Sequence, residues 1–404
     1  MSEPHLPATI GSTRWVVTLS AMSAVTALSI DISLPAQPVL ATVFDASSAT
    51  VQLTLSLFLI GFAVAQLLVG YLSDVWGRRR VLIAGLALFA LSGLACAVSP
   101  NIEVLIVCRT LQGIGASAGP VVARAIVRDT QPAGQAARLM STMLATVAIA
   151  PMIAPSIGGV MLAGLGWRAI FATLAAAGIS LVVLAHLTLH ETLAVERRLA
   201  ASPRGLVRGF AQFFATPGTR LPTLIGCAAF AGQFAYIADS PFVLMHGYQV
   251  SNTAFGVYFG LTALALMIGS LVGWRILKAG RSPIKMILTG TTILLFGGVL
   301  VTIGTRVEGL GIAGFLVPMI IYFFGCGMGG PSATALALEP VPHIAGTASS
   351  MIGFLTMIAG AASGYLTTKI GGSDPRTFAL VVTVMGAVAS LFAWAAVLSR
   401  RRRG

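Results

Sequence analysis

The chain has 404 residues, of which 56% are hydrophobic and only 9% charged, with a formal net charge of +13. A water-soluble domain carries about 25% charged residues, so most of this chain is unsuited to water and a large soluble domain is excluded. A membrane-spanning helix needs about 20 apolar residues, which leaves room for about a dozen spans and short loops.

In chain order the apolar runs fall at 15–38, 50–71, 81–98, 102–125, 139–164 and 167–189, then at 221–245, 254–277, 284–304, 309–330, 344–367 and 377–398. The first run continues through Asp31 to Pro35 and Pro38, with no basic leader, and reads as a span rather than a removed signal peptide. The expected fold is an all-α polytopic membrane protein of twelve transmembrane helices in two pseudo-symmetric six-helix bundles. Residues 1–190 form the N-terminal bundle, 191–220 a cytoplasmic linker and 221–404 the C-terminal bundle.

An internal repeat supports the two halves. Gly70-Tyr71-Leu72-Ser73-Asp74-Val75-Trp76-Gly77-Arg78 returns, worn, about half a chain later as Gly273-Trp274-Arg275-Ile276-Leu277-Lys278-Ala279-Gly280-Arg281. Recurrence at half length in a membrane chain points to a two-bundle transporter.

Placement of charge decides what the +13 means. Basic residues concentrate in alternate loops: Arg78, Arg79 and Arg80; Arg124, Arg128 and Arg138; Arg197, Arg198, Arg204 and Arg208; Arg275, Lys278, Arg281 and Lys285; and the tail Arg400 to Arg403. That asymmetry follows the positive-inside rule and puts both termini in the cytoplasm, so basic charge anchors topology rather than binding nucleic acid. In the linker Leu206, Val207, Phe210, Phe213 and Phe214 recur at helical spacing. Such a helix either lies on the membrane surface or packs on the bundle.

Small and helix-disturbing residues are grouped. Gly115 and Gly119, and Gly360 and Gly364, make small-xxx-small faces for close helix approach. Pro151, Pro155, Gly158 and Gly159 fall in one span, and the run from Gly325 to Pro331 is expected to end another.

Three charges lie deep within apolar runs, away from their ends. Asp31 and Arg109 each sit about 10–12 Å below the outer boundary, and Asp239 takes the place corresponding to Asp31 in the second half. Each acid is followed closely by proline, Pro35 and Pro241. A lone charge at mid-span costs about 2.5–3.5 kcal/mol, so these residues are expected to face a cavity or each other. The functional reading makes Asp31 a proton acceptor tuned by Arg109; the plain alternative is a buried structural ion pair.

Other chemistry finds no support. None of the three lysines follows a glycine, so no phosphate-cradling Gly-Lys-Ser/Thr loop is present and no ATPase is encoded. Cys96, Cys108, Cys227 and Cys326 all lie in apolar runs, and His186 with His190 is too few ligands for a metal. No Gly-x-Ser-x-Gly elbow occurs. Neither catalytic nor metal residues are expected.

On these residues the chain resembles the major facilitator superfamily over essentially its full length. Gly70 to Arg80 resembles that family's signature loop, which implies an inward gate involving Gly70, Asp74, Gly77 and Arg78. The run from Arg109 to Gly115 resembles the helix-four motif associated with proton transfer. Pro151, Pro155, Gly158 and Gly159 look like the helix-five motif of antiporters. Ser29-Ile30-Asp31 with Leu34-Pro35, Ser240-Pro241-Phe242 and Ala345 to Ser349 resemble the Bcr/CflA drug–proton antiporters. Ile32-Ser33 and Gln37 depart from that group's usual Met-Tyr and Leu.

The resemblance implies a proton-coupled exporter of drugs in a bacterial cytoplasmic membrane. Its partners would be a small-molecule substrate, protons and the lipid bilayer, with no nucleic acid. It would work as a monomer, with the proton gradient as energy source and no cofactor. Asp239, Gln112, Phe58, Phe62, Phe234 and Tyr236 are candidates for the substrate cavity. A proton-coupled uptake carrier for a metabolite has the same architecture and is the alternative.

Overall fold

A computed structural model describes residues 12–194, 204–371 and 374–401, and all regular structure among them is helical. Arg197, Arg198, Arg402 and Arg403 of the expected basic clusters lie outside the described residues. In order the helices are α1 (Thr13–Asp31), α2 (Gln37–Val43), α3 (Ser48–Trp76), α4 (Arg78–Ala97), α5 (Ile102–Ala116), α6 (Ala118–Thr130), α7 (Ala133–Leu165) and α8 (Trp167–Thr188). Then come α9 (Arg204–Ala215), α10 (Pro217–Pro241), α11 (Asn252–Lys278), α12 (Pro283–Gly304), α13 (Ala313–Leu338), α14 (Ala345–Gly371) and α15 (Pro375–Arg401).

Among the described residues twelve helical segments are long and apolar enough to cross a membrane. Two of them are broken at the acid–proline pairs. Pro35 has no N–H to continue the ladder and disfavours helix at the residue before it. So α1 ends at Asp31, a 3-10 turn covers Leu34–Ala36, and α2 resumes at Gln37. At Pro241, α10 gives way to a π-helical segment, Phe242–Gly247.

Other helix-disturbing residues do not break their helices. α7 runs through Pro151 and Pro155, and α13 runs through Pro318 and Pro331 to Leu338, beyond the expected end of that span. The α13 glycines serve packing instead. A Cβ on Gly327 would strike the carbonyl oxygen of Leu266 on α11, and one on Gly325 would stand 2.6 Å from the Leu294 nitrogen on α12.

The chain forms two compact units. Of the described residues, one comprises those up to 36 together with 57–194; the other comprises 37–56 and those from 204 onward. The second unit therefore takes α2 and the first turns of α3 from the first half of the sequence. Within the first unit α4 packs on α5 and α8, and α1 on α7. Within the second, α10 packs on α14 and α15, and α12 on α13 and α15.

The two small-residue faces have different fates. Gly115 and Gly119 lie on either side of a break at Ser117, and face Phe89 of α4 and Met22 of α1 respectively, so they are not one seam. Gly360 and Gly364 both face α10, at Phe230, Phe234 and Ala238. The amphipathic α9 packs on its own unit. Phe213 is buried among Ala337, Val341, Ala348, Met351 and Ile352, with Phe210 against the same cluster.

Candidate functional site

Asp31 stands where α1 stops, nine-tenths or more buried. The chain around it is held by α7, because Gly158 lets that helix touch the turn; a Cβ there would overlap the carbonyl oxygen of Ile32. Ser33 closes the turn by donating from its hydroxyl to the Ile30 carbonyl at 2.8 Å. The Pro151/Pro155/Gly158/Gly159 helix is thus the element that presses on the residue following the acid.

Arg109 is fully buried on α5, and its partners differ from expectation. Nη1 donates to Ser29 Oγ at 3.0 Å and to Gln112 Oε1 at 2.6 Å, and Nη2 donates to the Ser29 carbonyl at 3.3 Å. The guanidinium also lies over the rings of Phe58, at 4.4 Å, and Phe171, at 5.6 Å. Neither a hydrogen bond nor an ion pair joins Arg109 to Asp31, so the expected Asp31–Arg109 pair is not formed. The reason is angular. Two residues along a helix turn through about 200°, so a group reaching Ser29 approaches the side of α1 opposite Asp31. Neutral oxygens and aromatic faces take the place of a carboxylate around this cation.

Of the cavity candidates, Gln112 and Phe58 are instead the neighbours of Arg109. Gly113, one turn beyond Arg109, brings Phe58 close, since a Cβ there would meet the Phe58 carbonyl oxygen. Phe62 is buried on the same helix as Phe58. Tyr236 is not on an open wall. Its ring is packed by Phe259, Phe315, Phe323 and Phe378 from α11, α13 and α15, inside the second unit's own core. Phe234 stacks on Phe230 beneath Gly360 and Gly364 of α14. Asp239 is buried in the second unit, bonded by the Thr368 hydroxyl of α14.

The signature loop is built as a charge cluster. Gly77 adopts φ +98°, a left-handed conformation that glycine takes without strain, and so lets α4 start immediately after α3. Gly280 in the worn copy does the same, at φ +84°. Gly70, on α3 about two turns before Gly77, faces Val121 of α6. Arg78 is buried, with Nη1 2.5 Å from Asp74 Oδ1 and 2.7 Å from Ser73 Oγ, while Nε donates to Asp129 Oδ2 at 2.8 Å. The local Asp74–Arg78 pair is therefore only part of the arrangement.

Two acids here escaped sequence reasoning. Asp129 clamps the other edge of Arg78. Glu191 accepts from the backbone N–H groups of Arg78 and Arg79, at 2.9 and 3.3 Å, and so caps the free N-terminus of α4 with a carboxylate. Arg79 returns the connection by donating to the carbonyls of Leu189 and His186. The available signal was an acid, Asp129, set among Arg124, Arg128 and Arg138, and another, Glu191, at the end of a span. No group of three or more His, Cys, Asp or Glu that could hold a metal occurs among the described residues.

The family model for the Major Facilitator Superfamily matches residues 19–364. The chain is 36% identical to the MFS-type transporter YdgK of Bacillus subtilis, over 82% of this chain and 83% of that one. It is 30% identical to a chloramphenicol resistance protein of Pseudomonas aeruginosa, over 91% and 86% of the two chains. It is 27% identical to a bicyclomycin resistance protein homolog of Haemophilus influenzae, over 94% and 95%. Among solved structures, a D-xylose-proton symporter superposes with a TM-score of 0.77 at 17% identity, covering 94% of this chain and 97% of that one, which is a likeness of fold. With a match over most of its length, twelve apolar helical segments among the described residues, and a half-chain repeat whose two glycines share one backbone conformation, the chain belongs to the Major Facilitator Superfamily of membrane transporters.

Proposed function

We propose that this transporter belongs to the Bcr/CflA group and exports drugs or other small amphipathic compounds in exchange for protons. The observation that carries the reading is the buried Asp31 at the break between α1 and α2, with the Gly158 helix pressed against the next residue. Discontinuous spans are where transporters of this kind bind ions and substrates, because irregular backbone within the membrane is tolerated only where protein or a cavity satisfies it. The likeness to a chloramphenicol resistance protein and a bicyclomycin resistance protein homolog supports drugs as the substrate class.

In this mechanism Asp31 carries the proton. A proton moving inward contributes about 2.3 kcal/mol per 100 mV and about 1.4 kcal/mol per pH unit, enough to sustain a drug gradient without nucleotide or cofactor. Arg109 acts on α1 through Ser29, holding the end of the helix that presents Asp31, rather than by pairing with the acid. The Arg78 cluster latches α3, α4, α6 and the segment after α8. The charges set deep in the spans are two acids, Asp31 and Asp239, against one arginine, Arg109, which favours cationic or neutral substrates over anions. The protein would work as a monomer in a bacterial inner membrane, with both termini in the cytoplasm and no enzymatic activity.

A strain lacking its own efflux pumps, carrying this protein, tests the proposal against a panel of chloramphenicol-like, bicyclomycin-like and cationic drugs. Raised resistance is expected, and drug entry into inverted vesicles should draw protons out of the lumen. Co-movement of drug and protons in one direction would instead make the chain an uptake carrier.

A further inference from the structure

Asp239 has a hydroxyl partner with a single proton to give. Thr368 Oγ1 bonds Asp239 Oδ1 and also lies 2.9 Å from the carbonyl oxygen of Gly364, one turn earlier on α14. A threonine hydroxyl is one donor with two acceptor lone pairs. When the carboxyl is ionised, the hydroxyl turns its proton to Asp239 and releases Gly364. When the carboxyl is protonated, Asp239 donates to Oγ1 and the hydroxyl donates to Gly364. The same three groups thus satisfy both states, and the hydroxyl reverses its direction between them.

One member of this pair also borders a surface crevice. Thr368 lines a crevice of about 430 Å³ together with Ser47, Ser48, Thr50, Tyr365 and Lys369, all residues of the second unit. The Lys369 ammonium lies 5.7 Å from the centre of the Tyr365 ring. Beside the crevice, Gln52 is fully buried, and neither its amide nitrogen nor its oxygen has a hydrogen-bond partner in the protein. Its nitrogen is 3.2 Å from where a Cβ on Gly364 would stand. Ser56, one turn along the same face of α3, donates to the Ala361 carbonyl at 3.0 Å and holds that face against α14. The Ser240 and Ser363 hydroxyls, neighbours in sequence of Asp239 and Gly364, are buried and unpartnered as well. Buried polar groups of this kind are served by water, which donates and accepts.

On the elements packed against α10 the titratable side chains include Tyr322 and Cys326 of α13, Tyr365 and Lys369 of α14, Arg376 of α15 and His246 of the π-helical segment, with Tyr236 on α10 itself. Arg208 of α9 lies towards the opposite end of α10. No hydrogen bond or ion pair joins any of these to Asp239, whose partner is the neutral Thr368.

We infer that Asp239 and Thr368 form a second proton-exchange site, loaded by water or hydronium entering the hydroxyl-lined crevice at the start of α3. This deepens the proton-coupled reading by giving the second unit its own proton carrier, and it rests on that reading only for its consequence in transport.

The test is infrared difference spectroscopy of the purified full-length protein in lipid, titrated with acid in the absence of drug. A carboxylic-acid C=O band is expected to appear on acidification, to vanish in Asp239→Asn and to persist in Asp31→Asn. Thr368→Val should shift that band to higher frequency and Thr368→Ser should restore it, a pattern that a packing role alone would not produce. Ser48→Cys capped with a bulky membrane-impermeant thiol reagent should slow hydrogen–deuterium exchange of the band, with the parent chain treated identically. Spectra of wild type and Asp239→Asn that superimpose, with both proteins monodisperse and equally helical, would overturn the site; exchange unaffected by the cap would overturn the route. Because no transport is measured, a failed export assay would leave this result standing.

Discussion

Arg109 donates three hydrogen bonds, two of them to Ser29, and none to Asp31 two residues further on. The acid and the base of the first unit are therefore joined through the backbone of α1 and not by a direct contact. Breaking a buried ion pair costs about 3–5 kcal/mol, whereas a hydrogen bond to a charged group is worth about 1.5–3 kcal/mol. Ser29→Ala should thus lower the thermal midpoint of the purified protein more than Asp31→Asn does. A larger loss for Asp31→Asn would show that the carboxylate is paired after all.

Gly158 should tolerate no side chain. Gly158→Ala puts a methyl group into the Ile32 carbonyl, and overpacking of this kind costs about 1–3 kcal/mol. The strain falls on the turn beside Asp31, so drug export should drop at least as steeply as stability. Gly164→Ala on the same helix meets nothing within 4 Å and serves as the control, with unchanged resistance and melting.

Glu191 should matter although it lies 113 residues from Arg78. Glu191→Ala frees two N–H groups at the start of α4, and loss of a helix cap costs about 0.5–2 kcal/mol. Glu191→Gln keeps an acceptor oxygen and should cost less. Arg78→Lys retains the charge but cannot span Asp74, Asp129 and Ser73 together, so it should melt earlier than the parent and export more slowly. Thermal midpoints and drug accumulation in cells carrying each variant give the comparison.

The spans, their number and the half-chain repeat were legible because hydropathy and glycine spacing are local signals. The acid–proline pairs at Asp31 and Asp239 were visible as well, but the breaks beside them were not expected; helix disturbance was looked for at Pro151 and Pro155, which α7 runs through. The partner of Arg109 was not legible, because it depends on which side of α1 faces α5. Asp129 and Glu191 were missed for a related reason: their contacts with Arg78 cross 51 and 113 residues, and nothing local marks them. Tyr236 was read as a cavity residue because an aromatic in an apolar run faces lipid, ligand or core with equal ease in sequence. Four phenylalanines around it decide for the core.

Asp374, outside the spans, gives a pH-dependent prediction. Its slight burial works against the charged form, but bonds from the Thr377 hydroxyl, the Thr377 N–H and the Arg376 N–H outweigh it and hold the carboxyl below its usual value. A depressed value means the cap on α15 is fully stabilising above the unfolded pKa of about 3.9 and is lost as pH falls through the folded value beneath it. Amide exchange at the first turn of α15 should therefore stay protected down to about pH 4 and then rise beyond the trend set by the chemistry of exchange. In Asp374→Ala the extra exposure should be present at every pH.

Whether Asp31 carries the exchanged proton is decided by drug uptake into inverted vesicles, driven by an imposed proton gradient and compared between the parent chain and Asp31→Asn. Gradient-driven accumulation is expected in the parent and none in Asp31→Asn, with equal amounts of folded protein in both membranes. Equal accumulation in the two would contradict that role for Asp31.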